Sequence, residues 1–156
     1  MLLSEVHLAI QMPEFRAYRN GDRDACLQMF DENCPEFFAP NEREDYAAFL
    51  AEAEGDYTVV LDGGRMAGAY GLAPHGGGLA LRWILFARAM QGRGLGAAVM
   101  SRALEAMRTR SVTALHIAAS HKSAPFFARF GAQPVTTTAD GWGPGMDRVD
   151  MVLTVR

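Results

Sequence analysis

The residues whose types and spacing could do chemistry begin with a glycine-rich turn, Gln91-Gly92-Arg93-Gly94-Leu95-Gly96. The turn follows a nearly continuous apolar run and precedes a segment whose apolar residues have helical spacing. The N–H groups in a helix's first turn lack intrahelical partners and lie at the positive end of its dipole. Because three positions have no side chain, a phosphate can approach these N–H groups, and Arg93 can add a charged contact. The turn therefore predicts a phosphorylated ligand.

Other interpretations of this turn remain open or are excluded by the sequence around it. It could be a tight turn without a ligand, although three glycines before a good helix cost stability. Gly92-x-Gly94-x-x-Ala97 also fits a dinucleotide fingerprint. A dinucleotide site requires an acidic residue about 20 positions after the fingerprint to bind the ribose. The next predicted strand ends with Ala118-Ala119-Ser120, which contains no acidic residue. A P-loop is excluded because no Gly-Lys-Ser/Thr follows the turn.

The elements that must position the turn follow from apolar spacing and turn residues. The predicted helices are 22–32, 42–52, a long amphipathic helix after the turn, and 123–130. The predicted strands are 15–18, 57–61, 65–73, 79–87, 113–118, 133–138 and 147–155, with loops at 74–78 and 139–146. The order β-α-α-β-β-β-α-β-α-β-β predicts an α/β fold with a mixed sheet and helices on its faces.

Length and composition point to one domain over residues 1–156, in which 1–13 is an accessory strand or a tail. The net charge of −3 disfavours nucleic acid as a partner. No run approaches the ~20 apolar residues that span a bilayer, and no signal peptide is recognisable. We therefore expect a cytoplasmic protein with no membrane partner. No metal is expected, because no His, Cys or Asp pattern has ligand spacing.

The glycine-rich turn resembles the Q/R-x-x-G-x-G/A signature of the GNAT superfamily, the acyl-CoA-dependent N-acyltransferases. The resemblance covers nearly the whole chain, because the predicted elements occur in that family's order. Residues 123–131, Ser-Ala-Pro-Phe-Phe-Ala-Arg-Phe-Gly, are similar to the family's late A-x-x-F-Y-x-x-x-G element. The resemblance implies a strongly twisted sheet that is splayed between its fourth and fifth strands. It also implies an enzyme that transfers an acetyl group from acetyl-CoA to an amine, and look-alikes are commonly homodimers.

In such proteins the splay receives the pantetheine arm of acetyl-CoA, and the glycine-rich turn holds the pyrophosphate. Main-chain groups of Leu85, Phe86 and Ala87 would pair with the arm, and a main-chain N–H would polarise the thioester carbonyl. The cofactor-binding residues that the resemblance implies are Leu85, Phe86, Ala87, Gln91, Gly92, Arg93, Gly94, Leu95, Gly96, Ala97, Ser120 and Phe127.

Two positions depart from the family pattern. Ser120 stands where the family often has an asparagine, and Phe127 stands where it often has the tyrosine that acts as general acid. Phenylalanine has no proton to donate. Either water or the Ser120 hydroxyl protonates the leaving thiolate, or no acid is needed, because a thiol pKa near ~8.5 makes a tolerable leaving group.

The general base is not fixed by the resemblance. Some relatives carry a carboxylate on the strand before the signature, but Arg82-Trp83-Ile84 offers none. His75 has a suitable intrinsic pKa, directly or through water. Tyr70 and Asp150 are further candidates, whereas His116 has the alternation of a structural residue in a strand. The catalytic candidates are thus His75, Tyr70 and Ser120.

The amine acceptor should meet the segments 34–41 and 139–145. Phe37, Phe38 and Trp142 could form an aromatic wall there. Acidic residues near the start of the second helix could attract a cation, although such residues usually complement the helix dipole. We expect a small primary amine or amino-acid derivative. A competing hypothesis is a non-catalytic acyl-CoA-binding sensor or subunit, which the missing tyrosine favours.

Overall fold

The computed structural model describes residues 12–156, so the prediction for 1–13 lies almost wholly outside the described residues. The strands are β1 (Glu14–Ala17), β2 (Thr58–Asp62), β3 (Arg65–His75), β4 (Gly78–Phe86), β5 (Ala114–Ser120), β6 (Gln133–Gly143) and β7 (Met146–Thr154). The α-helices are α1 (Arg23–Glu32), α2 (Glu42–Ala51), α3 (Leu95–Thr109) and α4 (Ala124–Ala128). This is the predicted order of elements.

The strands form one mixed sheet in the order β1-β2-β3-β4-β5-β7-β6. Among the strands of residues 12–156, only the central pair, β4 with β5, is parallel. Its register is short, and it consists of the pairs Leu79–Leu115, Ala80–His116 and Leu81–Ile117. Beyond Leu81 and Ile117 the two strands separate. The sheet is therefore splayed between its fourth and fifth strands, as predicted.

A bulge in β4 lies where the separation begins. Between the pairs Gly71–Arg82 and Ala69–Leu85, β4 contains one residue more than β3. Within the bulge Trp83 adopts a φ of 46°, which is uncommon for a bulky residue. Packing holds it there, because its carbonyl accepts a hydrogen bond from the Tyr57 hydroxyl and its ring packs on Tyr46. Bulges bend a strand and increase its twist, which helps β4 to leave β5.

Helices cover both faces of the sheet, as predicted. Successive residues of a strand point to opposite faces, and the two cores follow that alternation. Val59 and Ala69 pack with α1 and α2 on one face. Val60 and Tyr70 pack with α3 on the other face. The cleft described below lies where β4 and β5 separate.

Two predicted loops are mostly strand. The prediction of a loop at 139–146 is wrong, because β6 continues to Gly143 and β7 begins at Met146. Asp140 stabilises this tight connection, since its Oδ1 accepts the main-chain N–H of Gly145 at 2.8 Å. The 74–78 loop shortens to a turn at Gly76 and Gly77, both with positive φ. Pairing across the two turns, such as His75 with Gly78 and Gly143 with Met146, extends both hairpins.

Candidate active site

A cleft of about 1030 Å³ opens where β4 and β5 separate. One end is bounded by the glycine-rich turn (91–96), the first turn of α3 and helix α4. The other end is bounded by the α1–α2 loop (33–41) and the tip of the β6–β7 hairpin. We call these the turn end and the loop end of the cleft.

The main chain of β4 faces the cleft at Phe86. The Ala87 N–H donates to the Ala67 carbonyl at 2.9 Å, and Leu85 pairs with Ala69. In this antiparallel pattern the main-chain groups of Phe86 point away from β3, toward the cleft. β3 already uses the main-chain groups of Leu85 and the Ala87 N–H, and the Phe86 carbonyl accepts from the side chains of Asn33 and Gln91. Of the main-chain groups expected to meet the pantetheine arm, the Phe86 N–H is therefore the one left to do so.

At the turn end, the main-chain N–H groups of residues 92–97 donate to no other residue in the described range 12–156. The first helical bond of α3 runs from the Ala98 N–H to the Gly94 carbonyl at 3.1 Å. Gly94 caps the helix with φ 84°, and a Cβ there would point into open space. Gly92, Gly94, Leu95, Gly96 and Ala97 all line the cleft. The turn therefore presents unpartnered donors to a space that an anion can enter.

Gly96 serves a different purpose from the one its sequence position suggests. A Cβ at Gly96 would lie 2.6 Å from the ring of Phe126, which follows the start of α4. The absent side chain makes room for Phe126 rather than for a phosphate. Gly96 therefore sets how closely α4 approaches α3.

Asn33 is a residue that sequence reasoning missed. It is 2% exposed and lines the cleft. Its Nδ2 donates to the carbonyls of Met29 and Phe86, each at 2.8 Å, and its Oδ1 accepts from the Gln91 Nε2 at 2.8 Å. Gln91 thus bonds to the protein through its side chain, and it also reaches Phe86 O at 3.2 Å. Asn33 joins α1, the end of β4 and the glycine-rich turn, and no local pattern around it indicates this role.

Arg93 points away from the lining of the cleft. Its Nη1 lies 3.3 Å from Asp62 Oδ2 at the end of β2. The side chain is about half exposed. In this arrangement the guanidinium pairs with a carboxylate, and Arg93 is not among the residues that line the cleft. Its contact with a phosphate stays a prediction.

Ser120 and Phe127 both line the cleft. The Ser120 Oγ accepts the N–H of Ser123 at 3.1 Å and lies 3.2 Å from the Ser123 Oγ. Ser120 ends β5 on the side where the strands have separated. Phe127 is buried at the same end. The residues of the described range that line the cleft thus include the Ser120 hydroxyl but no tyrosine.

His75 and Tyr70 are not brought to the cleft. His75 ends β3, where β4 and β5 are still paired, and its ring lies 4.6 Å from that of His116. The Tyr70 hydroxyl accepts a hydrogen bond from Arg102 Nε at 2.9 Å on the α3 side of the sheet. Neither residue lines the cleft. Their positions do not support a role as general base.

The aromatic residues expected to meet an acceptor do line the loop end of the cleft. They are Phe37, Phe38 and Trp142, with Trp83 of the bulge as an addition that the sequence did not suggest. The Trp142 Nε1 donates to the Ala119 carbonyl at 2.9 Å. The Asn41 Nδ2 donates to the Trp142 carbonyl at 2.7 Å, which ties the α1–α2 loop to the hairpin tip.

One carboxylate lies among these rings. Glu42, the first residue of α2, is 4% exposed and lines the cleft. Burial raises the pKa of its carboxyl to about 7, and the hydrogen bond from the Ala39 N–H opposes the rise only in part. The sequence placed Glu42 in an acidic segment but did not distinguish it from its exposed neighbours.

Two further features bear on the class of site. Among residues 12–156, no group of three or more His, Cys, Asp or Glu side chains could hold a metal ion. In the same range no helix is long and apolar enough to cross a membrane.

Comparison with known families supplies the deciding observation. Residues 26–132 match the model of the Acetyltransferase (GNAT) family, which is more than half of the 156 residues. The chain belongs to the GNAT family. The matched range of this GNAT chain includes the splayed strands, the glycine-rich turn and α4. The membership that the turn and the order of elements predicted is confirmed.

Solved structures share the GNAT fold at low sequence identity. A Desulfovibrio desulfuricans protein assigned to the GNAT family has a TM-score of 0.75 at 23% identity, over 93% of this chain and 100% of that one. The ribosomal-protein-S18-alanine N-acetyltransferase of Escherichia coli has a TM-score of 0.74 at 17% identity, over 92% and 94%. The yncA protein of Salmonella typhimurium, solved with its cofactor acetyl-CoA, has a TM-score of 0.69 at 14% identity, over 93% and 95%. No curated protein matches the chain in sequence.

Proposed function

We propose that this GNAT chain transfers an acetyl group from acetyl-CoA to the primary amine of a small molecule or amino-acid derivative. The observation that carries the proposal is the cleft between β4 and β5 with unpartnered N–H donors at its turn end. The acceptor attacks directly while both substrates are bound. Family membership and the solved relatives with CoA or acetyl-CoA support this choice of acyl donor.

The residues present fit an acyl-CoA. A pyrophosphate fits the turn end, because its oxygens would accept from the free N–H groups at the positive end of α3. The Phe86 main chain faces the space that an extended pantetheine arm would fill. The thioester of an acyl-CoA bound in this way would be reached by the Ser120 hydroxyl, which lines the cleft at the end of β5. Either that hydroxyl or water would donate the proton that the leaving sulfur takes up.

The loop end of the cleft favours a small acceptor. The α1–α2 loop and the hairpin tip both line the cleft and bond to each other through Asn41 and Trp142. Their contact is close, because a Cβ at Gly143 would lie 2.8 Å from the Cβ of Ala39. This contact partly closes the loop end. A small amine can enter such a space more readily than a segment of a folded protein.

Two measurements test the proposed function. We expect acetyl-CoA to raise the melting temperature, as any ligand does that binds the folded state alone. We also expect release of free thiol from acetyl-CoA when the right amine is added. Absence of stabilisation at millimolar acetyl-CoA would contradict an acyl-CoA site altogether.

A second candidate function is a non-catalytic acyl-CoA-binding sensor or subunit. The observation that favours it is Phe127, which offers no proton where the family often has tyrosine. Stabilisation by acetyl-CoA together with no thiol release for any amine in a broad panel would support this candidate over the enzyme.

A further inference from the structure

The loop end of the cleft contains a buried carboxylate without a cationic partner. Glu42 lines the cleft with Phe38 and Trp83. A buried carboxylate usually pairs with a cation, or its pKa rises until the group is neutral. Within the described part of the chain, the ion pairs do not include Glu42.

The carboxylate of Glu42 is fixed through one of its oxygens. Oε2 accepts the Ala39 N–H at 2.8 Å, and the Glu42 N–H donates to the Ala39 carbonyl at 2.9 Å. This reciprocal pair holds the side chain against the α1–α2 loop. For Oε1, no hydrogen bond occurs among residues 12–156, and it is not one of the fully enclosed polar atoms that lack a partner. One oxygen is anchored, and the other is left for a ligand.

The charged groups around Glu42 do not neutralise it. Asp45 on the same helix raises the Glu42 pKa slightly beyond the effect of burial. The Cys34 thiol of the preceding loop faces it, with its own pKa raised by burial and by the nearby acids. Four basic residues line the cleft, namely Arg82, Lys122, Arg129 and Arg148, and within residues 12–156 none of them forms an ion pair with Glu42. Arg148 lies over the Trp142 ring and is paired with Asp150. A cation from outside the protein would therefore be attracted to Glu42.

We propose that Glu42 binds the acceptor's ammonium group and removes the proton that blocks its attack. This inference rests on the proposed function and names the base that the acetyl transfer requires. An alkylammonium has a pKa near ~10, so at neutral pH nearly all of it lacks a free electron pair. Burial makes Glu42 a much stronger base than an exposed glutamate, so the two proton affinities approach each other.

The proposed step balances in atoms and charge. Glu42 takes one proton from R–NH3⁺ and leaves R–NH2. The nitrogen lone pair forms the N–C bond with the thioester carbonyl carbon, and the C–S bond breaks with its electron pair on sulfur. The second proton that nitrogen loses ends on that sulfur, and Glu42 returns its proton to solvent. The products are the acetamide, free CoA thiol and one proton.

The surroundings of Glu42 also define the acceptor class. Phe37, Phe38 and Trp83 line the cleft with Glu42, whereas the face of Trp142 is already covered by the Arg148 guanidinium at 4.9 Å. Aromatic faces attract an ammonium group and bury apolar surface. The site is thus suited to a primary ammonium on an aromatic or aliphatic body, such as an arylalkylamine, rather than to a strongly polar amine.

Glu42→Gln tests the proposal, with Glu44→Gln as the matched control on the exposed side of the same helix turn. Glutamine keeps an oxygen for the Ala39 N–H but takes no proton. We expect kcat with 2-phenylethylamine to fall about 100-fold or more, with no change in the KM for acetyl-CoA. In the wild-type protein kcat/KM for the amine should rise with pH up to about 7 and then level, because kcat/KM follows the ionisation of Glu42 in the free enzyme. That limb should be absent in Glu42→Gln and present in Glu44→Gln.

The outcomes separate a base from a merely structural residue. An unchanged kcat and pH profile in Glu42→Gln would overturn the proposal while acetyl transfer by the wild-type protein stood. If the wild-type protein transfers acetyl to no amine, the proposed function fails and so does the proton-transfer role. The ammonium-binding role is then decided by carboxyl carbon NMR of Glu42, with 2-phenylethylammonium as the probe. A shifted resonance supports it, and an unmoved resonance overturns it.

Discussion

At the scale of single residues, the burial of one carboxyl and the absence of one side chain determine two properties of this chain. The Glu42 carboxyl is buried, which disfavours its charged form, and Gly94 has no side chain at the turn end, where an anion fits. The first feature links protonation to stability. The second links backbone conformation to binding. Both can be measured without knowledge of the natural acceptor.

Glu42 should make the protein less stable as the pH rises. Its folded pKa of about 7 exceeds the unfolded value near 4.5, so the folded state holds the extra proton between these values. The stability this provides is complete below about pH 4.5 and is lost as the pH rises to about 7. Glu42→Gln should therefore gain up to about 3 kcal/mol over wild type between pH 4.5 and pH 8. Denaturant unfolding at several pH values measures the difference, and parallel stability curves would contradict it.

Gly94→Glu should abolish binding of acetyl-CoA, because it adds bulk and negative charge where the pyrophosphate would lie. Gly64→Glu is the matched control, since Gly64 has φ 80° and open space around its Cβ in the β2–β3 turn. Both variants should lose similar stability from the strained backbone, about 1 kcal/mol. Only Gly94→Glu should lose the thermal shift with acetyl-CoA. Equal binding by the two variants would remove the turn from the site.

At the scale of elements, the cleft exists because neighbouring elements are held at particular distances. Asn33 fixes α1 to the end of β4 and to Gln91. The Trp83 bulge bends β4 away from β5. The third distance, between α3 and α4, is set by Gly96 and Phe126, and it forms one wall of the turn end. Each contact joins segments that are far apart in sequence.

Gly96→Ala should destabilise the protein by about 1–3 kcal/mol, because its Cβ would overlap the Phe126 ring. Phe126→Leu should remove much of this penalty when the two are combined. A double-mutant cycle measured by denaturant unfolding gives the coupling between the positions. Additive effects, with no coupling, would mean that α4 does not pack on Gly96 in this way.

At the scale of the whole molecule, the cleft has two ends built from different parts of the chain. The turn end comes from the glycine-rich turn with the first turn of α3, and from α4 about thirty residues later. The loop end joins the α1–α2 loop to the hairpin tip, about a hundred residues later, through the bond between Asn41 and Trp142. The two ends should therefore respond separately to mutation.

Trp142→Ala should weaken binding of the amine while leaving binding of acetyl-CoA nearly unchanged. The indole lines the loop end and bonds to Ala119 at 2.9 Å, so its loss should raise the KM for the amine about tenfold or more, the effect of ~1.4 kcal/mol. The thermal shift with acetyl-CoA should stay close to that of wild type. Val135→Ala, at an exposed residue of the same strand, is the control. Loss of acetyl-CoA binding in Trp142→Ala would contradict the division into two ends.

The sequence by itself determined the order of the elements, the glycine-rich turn at the start of α3 and the family. These are local features, because turn residues, helical spacing and strand alternation act over a few neighbouring residues. Only the tertiary structure decided that Glu42 is buried, that Asn33 holds Gln91, that Gly96 receives Phe126, and that His75 lies where β4 and β5 are still paired. Burial and hydrogen bonding between distant segments depend on how the whole chain packs, so identical residue types a few positions apart, such as Glu42 and Glu44, acquire different chemistry.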